Sequence, residues 1–115
     1  MSIIKVDYGN IGGGNTYPEF LASAKTVAGQ SYTQMAIFNV QDAGYTRMKG
    51  KIKSDTYNVY YIIGGTSSYV LIPNAINNWV DFDLDLSSGT NVTFAVNNNS
   101  NSYQTYIHFV DLEFS

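Results

Sequence analysis

The sequence contains no cysteine, so a disulfide framework and a thiolate metal site are both excluded. None of its apolar runs approaches the roughly 20 residues that a membrane-spanning helix needs. The N-terminal residues also lack the apolar segment of a secretion signal. These absences predict a soluble protein that has no membrane partner and no secretion signal.

Charged residues are scarce as well, at 13% of the 115 residues, and the net charge is −3. A negative field has little attraction for phosphate backbones, which predicts that nucleic acid is not a partner. Gly12, Gly13 and Gly14 lack the lysine that closes a nucleotide-binding loop. The single histidine, His108, has no orienting acid or nucleophile beside it in the sequence. The chain is therefore predicted not to be an enzyme and to need no cofactor.

The residues that are present favour β-strands. Aromatic residues make up 15% of the chain, and ten residues are tyrosines. Apolar and acidic residues alternate strictly over residues 80–86, directly after Trp79, and apolar residues again take alternate positions over residues 91–97. A period of two is typical of a strand with one buried face. The residues predicted to face inward are Val80, Phe82, Leu84, Leu86, Val92, Phe94 and Val96.

Turn sequences divide the chain into about seven or eight short strands. This spacing predicts an all-β fold, an antiparallel β-sandwich with a jelly-roll-like arrangement. Short connections predict that the last three strands are antiparallel neighbours, and residues 41–44 are predicted to form a hairpin turn. Residues 18–24 fit either a short helix or an irregular lead into a strand. Residues 1–15 are predicted to form an arm with a glycine hinge, and residues 16–115 the β-sandwich domain.

The apolar residues of the predicted N-terminal arm lead us to expect an oligomer. Ile3, Ile4 and Val6 are apolar, and the glycines at 12–14 separate them from the body of the chain. A lone extended segment is unstable in water, so it must pair with a sheet edge of its own domain or of a neighbour. Because a glycine hinge would be unnecessary for a local return, we expect the neighbour's edge and therefore a homo-oligomer.

Four of the six cations occupy alternate positions of one predicted strand. They form the basic ladder: Arg47, Lys49, Lys51 and Lys53. Such a ladder could bind an acidic polymer such as teichoic acid, or a capsid surface. The alternative, which we favour, is cross-strand pairing with Asp81, Asp83 and Asp85 on a neighbouring strand. In both cases Met48 and Ile52 are predicted to face the core, because alternate residues point to opposite sides of a strand.

Tyrosines beside asparagines would suit a sugar ligand, because aromatic faces offer apolar contact area and amides can bond hydroxyl groups. The glycan-binding candidates are Tyr60, Tyr69, Tyr103, Asn97 and Asn99. The alternative is that these rings pack as they do in any aromatic-rich sandwich and keep only their hydroxyl groups in water.

Two parts of the sequence resemble known families. The segments 85–87, 92–94 and 109–112 follow the rhythm of galactose-binding-like carbohydrate-binding jelly rolls. Residues 4–9, followed by the glycines at 12–14, resemble the N-terminus of small structural proteins from phages and prophages of Gram-positive bacteria. The first resemblance implies sugar binding and allows a structural calcium site that uses Asp111 and loop carbonyls. The second implies a place in a virion.

These resemblances predict a non-enzymatic structural or binding module of a virion, associated with its decoration, tail or baseplate. Its partners would be other virion subunits or copies of itself, and its ligand a host-surface polysaccharide. It would be located in the virion, or in the host cytoplasm before assembly. The alternative is a free-standing carbohydrate-binding module associated with a glycoside hydrolase.

Overall fold

A computed structural model describes residues 4–7, 16–17, 20–39, 45–64, 68–86, 91–98 and 101–115. These ranges contain strands, turns and loops, and no helix that is long and apolar enough to cross a membrane. The strands are β1 (Ile4–Asp7), β2 (Thr16–Tyr17), β3 (Phe20–Lys25), β4 (Tyr32–Asn39), β5 (Arg47–Ser54), β6 (Val59–Ile63), β7 (Val70–Ile72), β8 (Val80–Asp85), β9 (Asn91–Asn97) and β10 (Gln104–Phe114).

The strands form two sheets. Sheet A has the order β1-β4-β9-β6-β7, and sheet B has the order β2-β10-β5-β8, with β3 also paired to β10. Among the strands that the structure describes, every pairing is antiparallel except that of β1 with β4. The predicted all-β sandwich of antiparallel sheets is therefore confirmed.

The pairing pattern from β3 to β10 is that of a folded ribbon. The first of these strands pairs with the last, and the same rule continues inward through β4 with β9, β5 with β8, and β6 with β7. A long antiparallel ribbon that wraps over itself in this way gives the eight-stranded jelly roll. The predicted jelly-roll-like arrangement is borne out, with β1 and β2 added at the margins.

The neighbours predicted for the last three strands are wrong. β9 lies in sheet A, whereas β8 and β10 lie in sheet B and are separated there by β5. β4 and β5 likewise belong to different sheets and do not pair as a hairpin, and the predicted turn at residues 41–44 lies outside the described residues. A short connection can cross the roughly 10 Å between packed sheets as readily as it can return within one sheet.

Two ambiguous N-terminal segments are strands. Residues 20–25 form β3 beside β10, so this part of the segment is neither a helix nor an irregular lead but a strand itself. Residues 4–7 of the predicted arm pair in parallel with β4 of the same chain, from Ile4 opposite Ala36 to Asp7 opposite Asn39. Ile3 and the glycines at 12–14 lie outside the described residues. Residues 4–7 therefore pair with a strand of their own chain, whereas we expected them to pair with a second copy. The homo-oligomer stays a prediction.

Aromatic rings fill the space between the sheets. Phe94 of sheet A contacts Phe82 and Phe109 of sheet B edge-on, with ring centroids 5.4 and 5.0 Å apart. Phe38 lies 5.7 Å from Phe94 and 5.4 Å from Phe109. The residues predicted to face inward all join this core, because Val80 packs against it and the other six are buried.

A bulge in β10 interrupts its register with β5. The register shifts between Val110 and Glu113, and Asp111 there has a positive φ of 55°. Gly50 lies opposite the bulge, and a Cβ atom at this position would come within 2.8 Å of Leu112 Cδ2 and 3.2 Å of Leu112 Cα. Gly50 therefore leaves the space that the extra residue of β10 needs.

We expect Phe82→Ala to lower the free energy of unfolding by about 3–5 kcal/mol, because it removes a buried ring from the contact between the sheets. Urea denaturation measures this change. Tyr103→Ala is the matched control, since that ring is 55% exposed and should cost far less. Equal costs for the two variants would contradict the assignment of Phe82 to the core.

We expect Gly50→Ala to cost about 1–3 kcal/mol through crowding at Leu112. The same substitution should cost less in a Leu112→Ala background, because the nearest atom is then gone. Denaturation of the two single variants and the double variant measures this coupling. Strict additivity of the two changes would show that Gly50 is not kept for the contact with Leu112.

Candidate functional site

Side chains on the outer face of sheet A cover its strand β9 at Ala95. Ala95 of β9 points to this face, because its neighbours Phe94 and Val96 point into the core. The register places Gln34 on one side of Ala95 and Tyr60 on the other. Ala95 nevertheless has no exposed surface, so surrounding side chains cover it.

Three tyrosines, Tyr32, Tyr60 and Tyr69, form a tyrosine cluster on this sheet. The rings of Tyr32 and Tyr69 stack with centroids 4.1 Å apart and planes 14° apart. Tyr60 meets Tyr32 edge-on, with centroids 5.2 Å apart. Tyr32 begins β4 and Tyr69 precedes β7, and β9 and β6 lie between those two strands. The stack therefore spans two intervening strands, and all three rings remain partly exposed.

The structure brings together only some of the predicted glycan-binding residues. Tyr60 and Tyr69 share the cluster, and Asn97 lies opposite Tyr32 in the register of β4 with β9. Asn99 lies outside the described residues. Tyr103 belongs to the connection between β9 and β10, where its backbone N–H donates to Thr26 Oγ1 at 2.9 Å.

Tyr32 was missed by sequence reasoning. It begins a strand whose next residues alternate, with Thr33 and Met35 buried and Gln34 partly exposed. That alternation was the available signal, because it places Tyr32 on the outward side with Gln34. Its stacking partner lies in another part of the chain, and no local pattern identifies it.

The basic ladder lies on the outer face of sheet B. Its register sets Lys49 opposite Asp83 and Lys51 opposite Asp81. Lys51 Nζ lies 3.3 Å from Asp81 Oδ1, and Arg47 Nε donates to Asp83 Oδ1 at 2.7 Å. The favoured alternative of cross-strand pairing with the aspartate strand is confirmed for Arg47 and Lys51, and Met48 and Ile52 are buried as predicted.

The other two cations of the ladder also have partners. Lys49 Nζ lies 3.5 Å from Glu113 Oε1 on β10. Lys53 Nζ lies 5.1 Å from the centroid of the Trp79 ring, within the range of a cation–π contact. An anionic polymer would have to compete with all of these contacts. Binding of such a polymer stays an untested prediction.

A shallow depression of about 240 Å³ opens on sheet B beside the bulge. Its lining consists of Lys49, Gly50, Lys51, Asp81, Phe82, Asp83 and Asp111. Asp111 is the residue for which calcium was predicted, and its side chain is exposed there. Within the described ranges, no three His, Asp or Glu side chains are grouped so as to hold a metal ion. The calcium site stays a prediction.

His108 has an acidic partner that its sequence neighbours did not reveal. His108 Nε2 lies 2.8 Å from Asp55 Oδ1, and the Trp79 ring lies edge-on to the imidazole at a centroid distance of 6.3 Å. Asp55 is 53 positions away in the sequence, so only the fold brings the pair together. The nearby hydroxyl of Ser54 donates to the backbone oxygen of Tyr57 at 2.6 Å. That hydroxyl is therefore engaged elsewhere and does not complete a nucleophile–base pair with His108.

No known protein-family model matches this chain, and no curated protein matches it either. The geometry of the two outer faces is therefore the basis for assigning a role.

The Arg47 guanidinium, which donates two hydrogen bonds to Asp83, lowers the pKa of that carboxyl group. Since the folded-state pKa lies below the unfolded value of about 3.9, the pair stabilises the fold above the unfolded pKa. That stabilisation is lost as the pH falls through the folded pKa. We therefore expect the stability difference between the wild type and Asp83→Asn to shrink from pH 7 towards pH 2.

Urea denaturation of both proteins across this pH range measures the effect. Added salt should reduce the difference at pH 7, because both side chains are exposed to solvent. A difference that stays constant with pH would rule out the ion pair as its source.

Proposed function

We propose that this chain is a non-enzymatic binding module that holds a glycan on the outer face of sheet A. The tyrosine cluster of Tyr32, Tyr60 and Tyr69 is the observation on which this proposal depends. Stacking between the rings restricts their motion before a ligand arrives, which lowers the entropy cost of binding. All three residues are partly exposed, and an apolar sugar face can pack against the aromatic surface that remains in contact with water.

Polar groups around the cluster support the same ligand. Gln34 and Tyr60 flank Ala95 in one row of the sheet, and Asn97 lies opposite Tyr32. A side-chain amide provides two donors and an acceptor, so it can bond neighbouring hydroxyl groups of a sugar. Asn97 is exposed and Gln34 is partly exposed, which leaves these amides within reach of a ligand.

The remaining chemistry supports binding more than catalysis. The His108–Asp55 pair lies on β10 and the turn after β5, which belong to sheet B. The tyrosine cluster lies on sheet A, so the one acid–base pair described above is not placed beside it. A ligand on the cluster would be held there without a general base at hand.

We further propose that the module belongs to a phage or prophage virion, on the resemblance of its N-terminal residues. The same tyrosine face would serve a free-standing carbohydrate-binding module associated with a glycoside hydrolase. Mass spectrometry of purified particles from an induced host separates the two. Peptides of this chain in the particles support the virion assignment, and their presence only in a fraction with hydrolase activity supports the alternative.

We expect Tyr60→Ala to weaken glycan binding by at least about tenfold, because a central aromatic contact is commonly worth more than 1–2 kcal/mol. Tyr60→Phe should retain most of the affinity, since it keeps the ring. A glycan array identifies a ligand for the wild type, and titration calorimetry compares the variants.

Tyr103→Ala is the control, because its exposed ring lies outside the cluster. Denaturation midpoints establish that each variant is folded. Binding that survives Tyr60→Ala but is lost in Tyr103→Ala would place the ligand at the connection between β9 and β10 and refute the proposed site.

A further inference from the structure

Charge is divided unequally between the two sheets. Four strands of sheet A, namely β4, β6, β7 and β9, contain no Asp, Glu, Lys or Arg residue. Sheet B carries one charged residue in β3, four in β5, three in β8 and two in β10. The remaining strand of sheet A, β1, holds Lys5 and Asp7 at the margin.

The uncharged region extends beyond the strands of sheet A. Residues 26–41 contain no Asp, Glu, Lys or Arg, and the same is true of residues 56–80 and 86–110. These segments include the whole tyrosine cluster together with Gln34 and Asn97. The polar side chains that the register places beside the cluster, Gln34 and Asn97, are therefore uncharged amides.

We infer that the ligand of this face is a neutral glycan, an inference that rests on the proposed function. A carboxylate, sulfate or phosphate group placed here would lose hydration and gain no opposite charge in return. A neutral sugar loses less, because amide and hydroxyl groups can replace the water that its hydroxyl groups give up.

The sign of the protein's charge leads to the same conclusion. The chain carries a net charge of −3, so it repels an approaching polyanion. The basic ladder does not offset this repulsion, because Arg47 and Lys51 pair with aspartates, Lys49 pairs with Glu113, and Lys53 lies over Trp79. The ladder also lies on sheet B, away from the tyrosine cluster.

If the ligand is neutral, the affinity for it should not depend on the salt concentration. Charge attraction is screened over about 10 Å at 0.1 M ionic strength and over about 3 Å at 1 M. A neutral glycan held by stacking and hydrogen bonds should keep its Kd within about twofold over this range. An anionic polymer held by cations would weaken steeply.

Affinity electrophoresis of the full chain tests this inference with a neutral set of polysaccharides (glucan, mannan and galactan) and an anionic set (teichoic acid and heparin). We expect retardation by at least one neutral polymer, unchanged between low and high salt and lost in Tyr60→Ala. Lys51→Gln is the matched control, because it removes a ladder cation and should leave the retardation unchanged.

Binding only to the anionic set, or binding that is lost in high salt or in Lys51→Gln, would overturn the neutral ligand while leaving a glycan-binding module in place. If neither set retards the folded wild type, the proposed function itself fails along with this inference. Self-association that Tyr60→Ala abolishes, without retardation by any polymer, would instead identify the face as a contact between protein subunits.

Discussion

Contact among four phenylalanine rings joins the two sheets, and the rest of the structure depends on it. Phe94 reaches Phe82 and Phe109 across the sandwich, and Phe38 reaches Phe109 from the strand beside Phe94. Each pair adds about 0.5–1.5 kcal/mol beyond the burial of its area. These rings come from strands that are far apart in the sequence, so they meet only when the ribbon of β3 to β10 has folded over. Core and topology therefore form together.

Because the inner faces are committed to this core, the outer faces are free to differ. Sheet B is covered by ion pairs, whose exposed positions make them weak sources of stability but useful in setting register. The outer face of sheet A carries three tyrosine rings that stack or meet edge-on. The two faces therefore suit different partners, and we propose the ligand for sheet A, in which β4, β6, β7 and β9 carry no charged residue.

Part of this arrangement followed directly from the sequence. The side-chain period of a strand is a local property, so alternation placed Phe82 and Phe94 in the core and the basic ladder on the outside. Alternation also predicted that Tyr60 and Tyr61 point to opposite faces of their strand, and Tyr61 packs against the core. Alternation cannot say which strand lies beside which, because a short loop fits a hairpin and a crossing between sheets equally well. For that reason the sequence predicts β9 beside its sequence neighbours, whereas β9 lies between β4 and β6.

The sequence by itself determined the β class and the inward and outward faces of the strands. It also determined that β5 carries a row of cations and β8 a row of aspartates. Only the tertiary structure decided the partners of Tyr32, Asp55 and Gly50. Each of these residues meets a distant part of the chain: Tyr69 for the first, His108 for the second and Leu112 for the third. A local pattern reports the direction of a side chain, whereas a contact between distant residues depends on the strand order and register that folding produces.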